Sequence, residues 1–106
     1  MITVEQLAEE LGINHEDVVE FVMVFLDYTE NEDLPALLEG INSGDCEIVR
    51  KRAHSIKGAA LNLLLPEISS LAERIEKMAA SGNLADIKGL YLDILNNMQI
   101  VRQMLT

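Results

Sequence analysis

His54 stands in a basic stretch of an otherwise acidic chain. Before Arg50 the sequence has thirteen carboxylates and no Lys or Arg, and four of its eight basic residues then fall between Arg50 and Lys57. A neutral imidazole is a nucleophile, and nearby cations disfavour its protonated form and stabilise a dianionic group bound to it. These residue types suit phosphoryl transfer. The alternative is a solvated helix face that only balances charge.

Helical spacing decides which residues share a side with His54. At about 100° per residue, the opposite side of its helix is apolar and consists of Ile48, Val49, Ile56, Ala59, Ala60 and Leu63. The His54 side carries Arg50, Lys51, Lys57, Gly58 and Leu61.

Each of these neighbours has an expected role. Arg50 and Lys57 are expected to stabilise a phosphoryl group on the ring. Lys51, Gly58 and Leu61 are expected to form a docking surface for a partner. A glycine inside a helix costs about 0.5–1 kcal/mol relative to alanine, so its position beside the imidazole indicates close approach of another protein.

Capping signals divide the first half of the chain. Residues 3–6 have the spacing of a capping box, which predicts a short helix that Gly12 ends. Asn14 then caps a long helix, with Pro35 as a possible bend or the start of a separate helix. We favour one long, bent helix that ends in the turn at 42–44.

The second half has three further helix starts. Asp45 caps the helix that carries His54 and runs to about Leu64, and Pro66 marks the first turn of the next. Asn83, with Asp86 at the third helical position, opens the last helix. Each helix has an apolar stripe that it cannot bury alone. The expected fold is therefore all-α, an up-and-down four-helix bundle with an additional short N-terminal helix.

Composition limits the function classes. The 106 residues, 49% hydrophobic and 4% aromatic, fit one helical domain spanning 1–106. No apolar run approaches the roughly 18 residues that cross a bilayer, so a cytoplasmic location away from membranes is expected. A net charge of −10 argues against nucleic-acid partners. Cys46 is the only cysteine and no metal-ligand motif is present, so no metal site is expected.

The segment from Val18 to Tyr28 is apolar nearly all round, with Glu20 and Asp27 as its only internal charges. Such a helix is either covered on two sides or exposes a docking patch. The predicted N-terminal helix can cover part of it, and both interpretations remain open.

The sequence from His54 onward, HSIKGAALNL, resembles the H-x-x-K-G-[AS]-[AS] signature of the histidine phosphotransfer (HPt) domains of multistep phosphorelays. The resemblance extends from about residue 16 to the C-terminus in helix order. It implies that His54 is the phosphoacceptor. Leu61 and Leu64 depart from the small residues common in the family. Arg52 replaces a usually apolar residue, and we expect its stem to lie on the bundle and its charge to reach water.

The resemblance further implies a phosphocarrier rather than an enzyme. It would accept phosphate from a receiver aspartyl phosphate or a kinase, such as a hybrid sensor kinase, and pass it to a response-regulator receiver domain. Mg²⁺ is expected on the receiver, and this chain would need no cofactor. It has no Gly-rich nucleotide loop for ATP and is expected to be a monomer.

Two other functions remain open. One is the phosphoacceptor domain of a chemotaxis-type histidine kinase, which would take phosphate directly from a kinase domain. The other is a helical adaptor that binds proteins without carrying phosphate. The identity of the donor separates the first from a relay carrier, and a His54→Gln variant separates the second.

Overall fold

The structure, a computed structural model, describes residues 2–106, which form six α-helices and one π-helical turn. In chain order these are α1 (Val4–Leu11), α2 (His15–Tyr28), the π-helical turn (Thr29–Asp33), α3 (Leu34–Ser43), α4 (Cys46–Asn62), α5 (Pro66–Ala80) and α6 (Ile87–Met104). The described residues contain no strand, and no helix among them combines the length and the hydrophobicity of a membrane span.

The predicted caps start three of these helices. Thr3 and Gln6 bond each other's backbone N–H groups at 3.2 and 2.8 Å, which completes the capping box of α1. The Asn14 side chain accepts from the N–H of Asp17 at 2.8 Å at the start of α2. Asp45 does the same for α4, because its carboxylate accepts from the N–H of Ile48 at 3.1 Å.

The predicted long helix through Pro35 is confirmed. The chain passes from α2 through the π-helical turn into α3 without leaving helical geometry, and the N–H of Leu34 bonds to the carbonyl of Thr29. Proline has no N–H to donate and its ring crowds the carbonyl of the preceding turn. The wider turn lies directly before Pro35, and the side chain of Asp33, its last residue, is buried.

The bundle is formed by the long α2–α3 helix, α4, α5 and α6, with α1 packed on α2. This agrees with the expected all-α fold. Its core is aliphatic, and the largest fully buried side chains are Leu7, Leu26, Leu34, Leu37, Ile56, Ile68, Ile75, Ile87, Ile94, Val18, Val22 and Val49. Since α4 and α5 are joined by residues 63–65 alone, they form an antiparallel hairpin.

Gly40 brings α3 close to α4. A Cβ atom at this position would lie 2.8 Å from Cγ2 of Val49 and 3.2 Å from Cγ2 of Ile48. Ile48 was expected on the buried side of its helix, but the structure leaves it exposed. It lies at the edge of the α3–α4 contact, over the space that Gly40 leaves open.

The end of α4 is earlier than the expected position near Leu64. Leu64 adopts a left-handed conformation with φ of +57°. The N–H of Leu65 bonds to the carbonyl of Ala60 at 2.9 Å, and the N–H of Leu64 bonds to the carbonyl of Leu61 at 3.1 Å. This is the Schellman pattern, in which glycine usually holds the left-handed position.

The predicted start of the last helix at Asn83 is wrong. The Asn83 side chain accepts from the N–H of Ala85 at 3.0 Å and so stabilises a turn. The helix begins only at Ile87, with Asp86 in the preceding turn. Asparagine suits a turn as well as a helix cap, and the sequence alone did not distinguish the two.

Candidate functional site

His54 lies near the middle of α4 with its ring in solvent. Its side chain is 64% exposed, because Val49, Ala53, Ile56 and Ala60 on the opposite side fill the bundle interior. The exposed imidazole expected from the helical pattern is therefore present in the structure.

The charged group that contacts this ring is a carboxylate. Oε2 of Glu76, on α5, lies 2.7 Å from Nδ1 of His54, and Oε1 lies 2.7 Å from Nζ of Lys57. The Glu76 side chain is only 17% exposed, and its hydrogen bond from Lys57, reinforced by the one from His54, lowers its pKa. The same bond raises the pKa of Lys57. The cations expected beside His54 are thus accompanied by an anion, which the sequence analysis did not predict and which lies between the imidazole and Lys57.

Glu76 holds the ring in one orientation. An ionised carboxylate is only an acceptor, so it favours the tautomer in which Nδ1 carries the proton. The other nitrogen, Nε2, has no hydrogen-bond partner among residues 2–106. In the neutral form of this tautomer the lone pair of the ring is on Nε2.

Sequence reasoning missed Glu76, although a signal for it exists. In an antiparallel hairpin, residues at equal distances from the connecting turn lie opposite each other. His54 lies nine residues before the turn at 63–65, and Glu76 lies eleven residues after it. Pro66 located the start of α5 correctly, so this near-symmetry would have placed Glu76 within one helical turn of the α5 position opposite His54.

Arg50 and Lys51 are directed toward Glu47 instead of the imidazole. Nη2 of Arg50 lies 2.7 Å from one carboxylate oxygen of Glu47 and its Nε lies 3.2 Å from the other. Nζ of Lys51 lies 3.8 Å from the same group. The bond from Arg50 lowers the pKa of Glu47 and raises that of Arg50. All three side chains are on the surface, where such ion pairs contribute little and rearrange easily.

Gly58 and Leu61 lie on the His54 side, as expected from the spacing. A Cβ atom at Gly58 would meet nothing within 4 Å, so packing inside the bundle does not require glycine there. Leu61 is among the exposed large hydrophobic residues. The surface next to the imidazole thus has no side chain at Gly58 and an exposed apolar side chain at Leu61, one helical turn further along α4.

Comparison with known proteins gives one result that decides the family. The model of the Hpt domain family matches residues 20–104, which is most of the chain. The chain belongs to the Hpt domain family. A search of curated proteins and a search of solved structures each returned no match. Hpt domains are histidine-containing phosphotransfer modules that work with receiver domains and kinases in phosphorelays, and they are in general phosphocarriers and not enzymes.

This Hpt domain also exposes an apolar patch on α2. Phe21, Val24 and Tyr28 are all in solvent, so the N-terminal helix leaves this part of α2 uncovered. The patch borders a shallow cleft against α4, which Ser55 and Asn62 line from the other side. Of the two interpretations of the apolar segment, the exposed patch is the one observed for these three residues.

A buried carboxylate fixes α4 to the long helix. Asp33, only 2% exposed, accepts from Nη1 of Arg52 and from Oγ of Ser55, each at 3.2 Å. Burial raises its pKa, and the bonds from these two side chains oppose that effect. Arg52 was expected to carry its charge to water, but it binds Asp33. Both donors lie within two residues of His54 on α4. Their bonds to Asp33 therefore fix the rotation of α4 about its own axis, from the side of the helix opposite His54.

Proposed function

We propose that this Hpt domain is a phosphorelay phosphocarrier with His54 as its phosphoacceptor. It accepts a phosphoryl group from the aspartyl phosphate of a receiver domain, or from a kinase, and passes it to a response-regulator receiver in the cytoplasm. The observation that supports this most strongly is the exposed imidazole with Nδ1 bound to Glu76 and Nε2 open to solvent.

The transfer step follows from this geometry. The lone pair of Nε2 attacks the phosphorus of the aspartyl phosphate in line with the bond that breaks. A nitrogen–phosphorus bond forms, the bond from phosphorus to the aspartyl oxygen breaks, and the carboxylate leaves with the electron pair. The proton on Nδ1 remains, shared with Glu76. Donation to a second receiver is the reverse of this step, with Mg²⁺ supplied by the receiver.

Glu76 acts in this proposal as a positioning residue. When Nε2 carries the phosphoryl group and Nδ1 keeps its proton, the ring is an imidazolium cation, and the carboxylate 2.7 Å away balances that charge. Lys57, on the adjacent turn, can exchange its bond to Glu76 for one to the phosphoryl oxygens. Arg50 is a second candidate for that role, since its surface ion pair to Glu47 is easily exchanged.

Docking is proposed to occur over the apolar surface on both sides of Gly58. The exposed patch of Phe21, Val24 and Tyr28 lies on one side, and Leu61 lies on the other, about two turns beyond His54. Apolar side chains at the centre of an interface and a glycine at the point of closest approach allow a receiver pocket to reach the ring. Lys51 lies at the charged margin of this surface.

The decisive experiment is transfer of labelled phosphate from a phosphorylated receiver domain. We expect the wild-type chain to take up label in an acid-labile, base-stable form, as a phosphohistidine does. His54→Gln should lose the label while its circular dichroism spectrum and melting temperature stay close to wild type, because the side chain lies in solvent.

The chain offers a matched control in His15, its other histidine, which is also exposed. His15→Gln should be labelled like wild type. Labelling that persists in His54→Gln would contradict the site. Labelling only by a kinase with ATP, and by no phosphorylated receiver, would favour the chemotaxis-type kinase domain. A wild-type chain that binds receivers but is never labelled would be an adaptor.

A further inference from the structure

We propose that the receiver that visits His54 also inserts an apolar side chain, flanked by a Lys or Arg, into a groove at the end of the bundle. This inference rests on the proposed function and concerns the part of the partner surface that determines specificity. The groove has a volume of about 600 Å³. Leu61 and Leu64 of the α4 end line one side of it, and Ile100 and Met104 of α6 line another.

Leu61 joins this groove to the His54 surface. It follows His54 by seven residues, so at about 1.5 Å and 100° per residue it lies about 10 Å along α4 on nearly the same side. A transient complex that buries only about 600 Å² per partner still extends about 14 Å from its centre. A receiver centred on His54 therefore covers Leu61 and reaches the mouth of the groove.

The chemistry of the groove selects its occupant. Apolar side chains form most of the lining, and an unpaired charge in such surroundings would be costly. Glu10 and Glu67, both exposed, are the acidic residues of its lining, and neither forms an ion pair with any residue of 2–106. An aliphatic or aromatic side chain next to a cation complements both features. An Arg or Lys without an apolar neighbour complements only the carboxylates. An acidic segment complements neither the carboxylates nor the apolar lining.

The test uses Ile100, which lines the groove from α6 and has no part in the His54 side of α4. Ile100 is 45% exposed, and Leu92, on the same helix and 52% exposed, does not line the groove. Ile100→Ala and Leu92→Ala are therefore a matched pair, and both should fold like wild type. Melting curves establish this before transfer is measured.

The probe is a set of receiver domains from the source organism, each phosphorylated with acetyl phosphate and Mg²⁺. With the receiver that transfers fastest to the wild-type chain, Ile100→Ala should raise KM about fivefold or more without lowering kcat, as truncation of an interface anchor does. Leu92→Ala should not change KM. Labelling by phosphoramidate, a small donor that needs no docking surface, is measured in parallel to report the reactivity of the ring itself.

Three results would overturn the inference. If Ile100→Ala transfers with wild-type KM while label still reaches His54, the groove is not part of the receiver contact and the proposed function stands. If light scattering shows that Ile100→Ala converts a dimer to a monomer, the groove belongs to a contact between two copies of this chain. If neither phosphoramidate nor any receiver labels His54, the proposed function itself fails.

Discussion

At the scale of single residues, the carboxylate of Glu76 connects His54, the proposed phosphoacceptor, to Lys57. Glu76 uses a different oxygen for His54 and for Lys57, each at 2.7 Å. It can therefore fix the ring tautomer and still release Lys57 when a phosphoryl group arrives. The proposed roles of Glu76 depend on two different properties of its carboxylate. Fixing the tautomer requires a hydrogen-bond acceptor for the Nδ1 proton, and balancing the imidazolium requires a negative charge.

Substitution of Glu76 separates these two properties. Glu76→Gln keeps an acceptor for the Nδ1 proton but loses the charge, and Glu76→Ala loses both. We expect labelling of His54 by phosphoramidate to slow modestly in Glu76→Gln and on the order of tenfold or more in Glu76→Ala. Rates are measured by mass spectrometry of the phosphorylated chain. Equal rates in all three proteins would contradict the positioning role.

The lowered pKa of Glu76 also predicts a pH dependence of stability. A carboxyl group whose pKa is lower in the folded state than its ordinary 4.5 stabilises that state above pH 4.5, and the contribution is lost as the pH falls through the folded value. The unfolding free energy of the wild type should therefore exceed that of Glu76→Gln at pH 7. The difference should shrink below pH 4.5, as urea denaturation at several pH values would measure. A difference that grows in acid would contradict this sign.

Gly58 is the residue where stability and transfer should change in opposite directions. Because a Cβ atom there meets nothing, Gly58→Ala should stabilise the fold by about 0.5–1 kcal/mol. In the proposed docking mode the added atom faces the receiver, so transfer from a receiver should slow, on the order of tenfold for Ala and more for Leu. Stopped-flow transfer assays and urea denaturation measure the two effects.

Gly89 supplies the control for this substitution, since it is also helical and a Cβ atom there also meets nothing. Gly89→Ala should stabilise the fold and transfer phosphate like wild type. Normal transfer by Gly58→Leu would refute the argument from close approach.

At the scale of elements, the end of α4 departs from the usual chemistry of its motif. Leu64 holds the left-handed position of the Schellman turn at φ of +57°, where a Cβ atom costs about 1–2 kcal/mol. Its side chain is half-buried and packs against the core, which offsets part of that cost. The turn connects the two helices of the site, so its geometry affects how α4 and α5 meet.

A pair of variants isolates the backbone effect from the loss of the side chain. Leu64→Ala and Leu64→Gly remove the same apolar contacts, but only Ala retains the left-handed cost. We expect Leu64→Gly to be more stable than Leu64→Ala by about 1 kcal/mol in urea denaturation. At most helical positions the order of these two residues is reversed. An Ala variant as stable as the Gly variant would mean that the turn relaxes to another conformation.

The helices themselves were largely predictable. Thr3, Asn14, Asp45 and Pro66 each begin a helix where the capping rules place a start. These signals act within about four residues, so tertiary packing has little influence on them. The one wrong start, at Asn83, involves a residue that satisfies a turn and a cap equally well.

At the scale of the whole molecule, the dominant electrostatic fact is a net charge of −10 on a body of 42 × 20 × 18 Å. At an ionic strength of about 0.01 M the Debye length, about 30 Å, exceeds the two short dimensions, so the carboxylates repel one another across the bundle. Favourable pairs such as Arg102–Glu30, at 2.8 Å, oppose this repulsion locally.

Added salt should therefore stabilise the fold at neutral pH. We expect the melting temperature to rise between 0.01 and about 0.5 M NaCl, because screening weakens the net repulsion more than the few surface pairs. The same titration near pH 4.4, the isoelectric point of the sequence, serves as the control and should give little change. A melting temperature that falls with salt at pH 7 would mean that the ion pairs outweigh the repulsion.

The sequence by itself determined most of the helix starts, the side of α4 on which His54 faces water and the family, because periodicity, caps and the motif after His54 depend on near neighbours along the chain. It placed Gly58 and Leu61 beside the imidazole for the same reason. The phosphoryl-accepting role of His54 stays a prediction, and the transfer experiment tests it.

Only the tertiary structure decided which charges meet. Glu76 reaches His54 across 22 positions, and Arg52 reaches Asp33 across 19, because α4 packs at a particular rotation against α5 and the long helix. Arg50 binds Glu47 although the sequence offers it His54 at a similar spacing. Long, flexible side chains choose among several partners within reach, and that choice depends on how whole helices fit together.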